Sequence, residues 1–275
     1  MALNLTTKYA DRIDERYFPE TVSAYGTNQN YDWAGAKTIK VTSIGTVAMD
    51  DYNRTKGYGA VETAKELTNE LQELTLTKDR MFRAKLDSMD EDETKIKAGE
   101  VLARQLREVT YPEIEAYRFQ VMCKAIVTNS QASEQTENVY SDFLAANEKL
   151  DDLFVPQATR VAYVTPTFHN ALKKDPVFIK AGDLSQNMLI KGQVGEVDGI
   201  PIIKVNKVWL KDDSSNEFDC IIVDRNATVA PMKLANYEAI KHPDFDGTVF
   251  QGRFYYDAFV LDMKKKGLVG IKKKA

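Results

Sequence analysis

The sequence predicts an α+β fold, and three of its features carry that reading. Strand and helix patterns are mixed without the regular strand–helix–strand rhythm of a doubly wound sheet. One apolar-periodic stretch, from about Asp90 to Thr128, is far longer than an ordinary globular helix. A strand at 37–44 and a second strand region at 72–86 are separated by about two dozen polar, turn-rich residues, a gap unusual inside a compact domain.

Residues 1–33 are polar and aromatic without a sustained period, and they read as an extended arm after a short helix at Ala10–Phe18. Their six aromatics are a poor match for a free tail, so the arm is expected to be held by a neighbouring subunit. In KTIKVTSI (37–44), Ile39 and Val41 alternate with Thr38, Lys40 and Thr42, the pattern of a strand with one wet face. Leu74, Leu76, Phe82, Ala84 and Leu86 alternate likewise in the second region. The resulting hairpin has little apolar surface and would be marginal alone. The intervening loop carries Tyr52, Arg54 and Lys56.

The long stretch opens with Ser88, Asp90 and Glu93, which satisfy and neutralise a helix N-terminus. Ile96, Val101, Leu102, Leu106 and Val109 recur at helical spacing, followed by Ile114, Tyr117, Val121, Met122, Ala125 and Ile126. A continuous helix of this length would span roughly 60 Å at the usual rise, long enough to join separate parts of one subunit. Pro112 should kink or briefly break it, because it lacks an N–H and biases Thr110 and Tyr111 away from helical geometry. A helix at about Val139–Asp152, a buried strand RVAYV (160–164) and a helix capped by Thr165-Pro166 follow. Gly192–Val205 reads as strand, Asp198-Gly199 turn, strand, and FDCIIV (218–223) as a buried strand. Val229–Ile240 alternates too irregularly to assign. Phe250–Leu261 is apolar and aromatic, and a short strand at Leu268–Ile271 lies between two lysine triplets.

Composition narrows the function classes. With 43% hydrophobic and 28% charged residues the chain is of the foldable, globular kind. A net charge of −4 argues against a dedicated duplex-DNA reader. No apolar run approaches the ~20 residues of a membrane span, and no secretion signal opens the sequence. Cys123 and Cys220 read as two buried thiols, and only two histidines are present. Gly57-x-Gly59 lacks both the preceding strand and the third glycine of a dinucleotide loop. Gly192, Gly195 and Gly199 are turn residues. His242, Asp244 and Asp246 fail the calcium-loop pattern. The acidic run Asp87–Glu93 reads as a solvated helix start, and His169 as a surface or capping residue. No catalytic residue, cofactor site or metal site emerges. Six lysines among residues 264–275 form the one basic patch, read either as a solvated end or as a contact for phosphates or an acidic surface.

The order of elements, together with LTKDRMFRAKLDSMDEDET, YPEIEAYRF, RVAYVTPTFHNALKK and VGEVDGIPIIKV, resembles the major capsid proteins of tailed double-stranded-DNA bacteriophages, the Hong Kong ninety-seven fold. The resemblance spans essentially the whole chain. It implies an N-terminal arm at 1–33, an extended loop at 34–88, the spine helix of a peripheral domain at 89–130, and an axial domain at 131–224. A peripheral-domain return at 225–262 and a final axial strand with a basic C-terminus at 263–275 complete it. The function implied is a structural, non-enzymatic subunit that self-assembles as pentamers and hexamers into an icosahedral shell around double-stranded DNA.

The partners implied are other copies of the chain, a scaffolding protein, a portal and non-specifically contacted DNA, in a virion assembled in the host cytoplasm, with no membrane. Because the sequence begins directly with the arm, a separate scaffolding protein is expected rather than a built-in one. Inter-subunit contacts are assigned to Tyr17, Phe18, Tyr25, Trp33, Tyr52, Arg54 and Lys56. Some members of that family cross-link subunits through a loop lysine; Lys56 is a conceivable donor, but no partner or catalytic acid is identifiable. The spine hinge is assigned to Pro112. An encapsulin-type compartment and a soluble α+β enzyme are the competing readings.

Overall fold

The structure, a computed structural model, describes residues 21–28, 30–31, 38–49, 51–55, 57–58, 65–89, 98–175, 195–214, 216–241 and 246–274. The chain divides into two compact units, one of residues 33–76 and one of residues 1–32 with 77–275.

The smaller unit is a two-stranded antiparallel ribbon, β1 (Thr38–Ile44) with β2 (Asn69–Thr75), in register from Thr38↔Thr75 to Ile44↔Asn69. The expected alternation is present in β1, where exposed and half-buried residues take turns. The region 72–86, read from sequence as one strand, is two. Its first part is β2; its second, β3 (Lys78–Asp87), belongs to a different sheet in the larger unit.

In the larger unit β3 lies at one edge of a three-stranded antiparallel sheet of order β10-β11-β3. Here β10 is Met232–Lys241 and β11 Gly247–Tyr256. The second sheet has six strands, in the order β4-β13-β8-β5-β7-β6. These are β4 (Ala132–Glu134), β5 (Arg160–Val164), β6 (Glu196–Val197), β7 (Ile200–Lys204), β8 (Phe218–Asp224) and β13 (Leu268–Lys272). A small pair, β9 (Thr228–Val229) with β12 (Phe259–Val260), stands apart from both sheets. The β6–β7 turn is made by Asp198 (φ 51°) and Gly199 (φ 73°), the left-handed pair a tight hairpin needs.

Every residue of β5 and β8 is buried, because helices cover both faces of the six-stranded sheet. On one face, α3 (Val139–Asp152) and α4 (Pro166–Lys174) bring Phe143, Leu150, Phe168 and Leu172 against Ala162, Val164, Cys220 and Ile222. On the other, Phe119, Met122, Cys123 and Ile126 of the spine meet Val161, Tyr163, Ile221 and Val223. Alternate residues of each strand therefore serve opposite layers. The Thr165 cap forms as expected: its hydroxyl oxygen accepts from the Phe168 N–H at 3.2 Å, and it also donates to Asp219 at 3.0 Å.

The spine comprises α1 (Ala98–Gln105), a π turn (Leu106–Thr110) and α2 (Tyr111–Thr128). The Asp90–Glu93 start lies outside the described residues. Contrary to the expectation from Pro112, the helix does not break: Thr110 and Tyr111 both keep right-handed helical angles. The turn ahead of the proline widens instead, with the Tyr111 N–H bonding to the Leu106 carbonyl five residues back. A wider turn moves the carbonyl that the pyrrolidine ring would strike and removes the need for the donor proline lacks. Its two halves serve different sheets. Leu106 and Ile114 pack with Phe254 and Tyr256 of the three-stranded sheet, and Phe119 to Ile126 on the six-stranded one.

Candidate assembly surfaces

Residues 22–28 are fastened to their own subunit through the spine. Glu115, 2% exposed, sits on the buried face of α2, where a carboxylate would be costly without partners. It has them: the N–H groups of Val22 (2.9 Å) and Ser23 (2.8 Å), the Ser23 hydroxyl (2.5 Å) and Arg118 (3.4 Å). The Arg118 guanidinium also donates to Ser23 Oγ at 3.0 Å, while burial pulls its pKa down and Glu115 pulls it back up. Tyr163, from the sheet beneath, donates its hydroxyl to the carbonyls of Val22 and Ser23 at 3.1 and 3.2 Å. Gly26 makes room for that ring, since a Cβ there would lie 2.7 Å from the Tyr163 hydroxyl. Asn28 then pairs with β9, its N–H 2.7 Å from the Thr228 carbonyl. This part of the arm needs no neighbour to hold it.

A second buried carboxylate, Asp257, ties three elements together. One oxygen accepts from the N–H and the hydroxyl of Thr77, both at 2.8 Å, and the other from the Tyr117 hydroxyl at 2.7 Å and the Ala258 N–H at 2.8 Å. Burial and the Asp257 charge push the Tyr117 hydroxyl well above its ordinary pKa, so it remains a donor. Thr77 is the residue at which the chain leaves the ribbon unit and enters the larger one. Beside this knot, a groove of about 500 Å³ is lined by Lys78, Arg80, Tyr117, Gln120, Trp209 and Tyr256. Two of its cations are engaged: Arg80 pairs with Glu113 at 2.8 Å, and Lys78 sits 4.9 Å from the centre of the Tyr117 ring.

The ribbon unit presents apolar side chains to solvent. Ile44, Val47, Leu67 and Leu71 are exposed on or beside its strands, and Met49 (99%) and Tyr58 (97%) are almost fully so. The loop still has local order, with the Asn53 side chain accepting from the Thr55 N–H at 2.9 Å and Tyr52 meeting Tyr58 edge to face at 5.2 Å. These exposed apolar side chains make the ribbon a candidate contact surface, although Leu74 of the same unit is buried.

Of the residues assigned to contacts from sequence, Tyr52 and Arg54 are exposed in this loop, and Tyr25 is 58% exposed on the fastened segment. Tyr17, Phe18, Trp33 and Lys56 lie outside the described residues, as do His242 and Asp244. His169 differs from its reading as a surface residue. It is 3% exposed in α4, and burial with Lys173 and Lys204 nearby depresses its pKa. Cys123 and Cys220 are buried free thiols whose pKa burial pushes up, so neither is a poised nucleophile. Among the described residues no cluster of His, Cys, Asp or Glu is arranged to hold a metal, and no helix is long and apolar enough to cross a membrane.

No family model and no curated protein matches the chain. Solved structures match it over almost its full length. A chain of the capsid of cyanophage P-SCSP1u has a TM-score of 0.80 at 12% identity, covering 98% of this chain and 93% of that one. A structure from Mycobacterium phage Che8 gives 0.76 at 16% identity, with 98% of both chains covered. The mature capsid of bacteriophage PhiM1 gives 0.71 at 9% identity, covering 97% and 91%. The chain has the α+β fold of tailed-phage capsid subunits, as the sequence anticipated.

Proposed function

We propose that this protein is the major capsid protein of a tailed double-stranded-DNA bacteriophage, a non-enzymatic subunit that assembles into an icosahedral shell. The observation that carries the reading is the agreement of fold along almost the entire chain, ribbon and spine included, with chains taken from phage capsids. The exposed apolar side chains of the ribbon support it, because they become buried when each ribbon lies over an adjacent copy. Tyr25, Tyr52, Arg54 and Lys56 are then inter-subunit residues, together with Tyr17, Phe18 and Trp33. Pro112 with its preceding π turn is the flexing point of the spine. The finer partners, a scaffolding protein, a portal and the packaged DNA, follow from the same reading, as does assembly in the host cytoplasm.

Electron microscopy and light scattering on the expressed protein test the proposal, with and without a co-expressed scaffold from the same genome. Pentamers, hexamers or closed shells are expected. A strictly monomeric protein under all these conditions overturns it.

A further inference from the structure

The two lysine triplets look alike in sequence, and the structure sets them at opposite ends of one strand with opposite electrostatic surroundings. Lys272 ends β13, and Lys273 and Lys274 follow it. Each has a carboxylate partner: Glu134 at 3.4 Å, Glu217 at 2.6 Å and Glu137 at 3.6 Å. Lys264, Lys265 and Lys266 precede the N-terminal end of β13, on a 3₁₀ turn at Asp262–Gly267. All three are exposed, and among the described residues no carboxylate forms an ion pair with them. The acid within the turn itself is Asp262, also exposed.

The backbone of the turn is tied down while the three lysine side chains make no ion pair among the described residues. The Leu261 N–H bonds to the Ala227 carbonyl and the Lys264 N–H to the Leu261 carbonyl, both at 2.9 Å. Gly267 is buried against Asp224, where a Cβ would lie 3.0 Å from the Asp224 Cβ. This packing brings up the 224–227 turn, which adds the exposed Arg225; that side chain uses its Nε on the Tyr25 carbonyl at 2.8 Å. Four cations thus share one end of the six-stranded sheet in a chain whose net charge is −4. Exposed ammonium groups on flexible stems, with a guanidinium beside them, describe a contact for evenly spaced phosphates rather than for base edges.

From this asymmetry we infer that Lys264, Lys265 and Lys266, with Arg225, form a sequence-independent contact for the phosphate backbone of DNA, while Lys272–Lys274 serve only the fold. The assignment deepens the capsid reading and rests on it for the identity of the polyanion.

The test compares full-length wild type with two triple variants, Lys264→Gln/Lys265→Gln/Lys266→Gln and Lys272→Gln/Lys273→Gln/Lys274→Gln. The probe is a short fluorescent duplex of random sequence, titrated between about 50 and about 200 mM salt. Three lost phosphate contacts flatten the plot of log affinity against log salt by about 2 to 3 units and weaken binding by roughly 10²-fold near 0.1 M salt. That is the expected result for the first variant, with the second close to wild type. Equal binding by all three proteins overturns the assignment, as does an equal loss in the second variant. A parallel titration with poly-glutamate distinguishes an acidic protein surface: equal loss toward DNA and the peptide also overturns it. Shell formation is scored separately by electron microscopy. A wild type that stays strictly monomeric with and without the scaffold refutes the capsid reading, while the binding comparison on unassembled subunit still decides the role of the lysines.

Discussion

Removing the Glu115 carboxylate should release residues 22–28 from the subunit. In Glu115→Ala the N–H groups of Val22 and Ser23 lose their acceptor, and that of Ser23 is buried. Each orphaned buried donor costs about 1–3 kcal/mol. Arg118, whose side chain is only 12% exposed, loses its counter-charge. Breaking a buried pair from one side costs about 3–5 kcal/mol. These losses do not add, because the segment can detach and let water reach both groups, so the penalty is capped by the free energy that holds the segment down. The expected outcome is local: a destabilisation of about 3–4 kcal/mol, seen as loss of amide protection at Val22, Ser23 and Asn28 with the six-stranded sheet still protected. Hydrogen exchange with mass spectrometry reads this directly, and a Ser23→Ala/Glu115→Gln double-mutant cycle should return a coupling of about 1–3 kcal/mol. Unchanged protection in Glu115→Ala, or amides that already exchange in wild type at free-peptide rates, would refute the reasoning.

Gly270→Ala should cost about 1–3 kcal/mol by overpacking, since its Cβ would fall 2.8 Å from the Phe218 ring and 3.0 Å from Ile126 Cγ2; a thermal melt checks it. Pro112→Ala should stabilise by no more than about 1 kcal/mol, the worth of one added hydrogen bond. Leu106 and Ile114 pack on either side of the π turn and favour the wide turn in this conformation, so a gain near 3 kcal/mol would show that the turn reverts to α geometry. Shells of that variant should expand at altered rates, which light scattering follows. Stability should also decline on the alkaline side. Cys123 and Cys220 ionise near pH 8.5 when unfolded, and Tyr117 and Tyr163 near pH 10, but burial raises all four in the fold. The stability they contribute is complete below those unfolded values and is lost as pH rises beyond them, at up to about 1.4 kcal/mol per unit for each group. Urea midpoints measured from pH 7 to 10.5 test this; a flat profile would contradict it.

Much of the larger unit was legible because its signals are local. The α3 boundaries, the Thr165 cap, the Asp198-Gly199 turn and the buried runs of β5 and β8 each depend on a few neighbouring residues. What escaped depends on residues far away in sequence. The alternation of 72–86 continues smoothly through Thr77, and the residue that meets it where the chain passes from one sheet to the other, Asp257, lies 180 positions on. Strand β10 hid behind a bulge at Met232/Leu234 that shifts its register. Glu115 reads as a polar spine residue until Ser23 is placed against it, and nothing near His169 announces its burial. The proline effect was placed on the correct stretch of helix but took another form, because widening a turn costs less than breaking a helix packed on two sheets. In the candidate surfaces, the apolar residues of the ribbon looked too few for a core, yet their exposure rather than their number is what supports the proposed contact.

The place of β13 also bears on how a subunit comes into being. Of the six strands in its sheet it is made last, yet it lies inside, between β4 and β8. Until residues 268–272 leave the ribosome, both neighbours have an open edge, and the spine helix has no Leu268 beneath it. A nascent chain can therefore form its hairpins and helices early but cannot close the layer on which the spine rests. The layer against which the spine packs is therefore completed only by the last-made of these six strands, and folding of that layer waits on residues far along the chain.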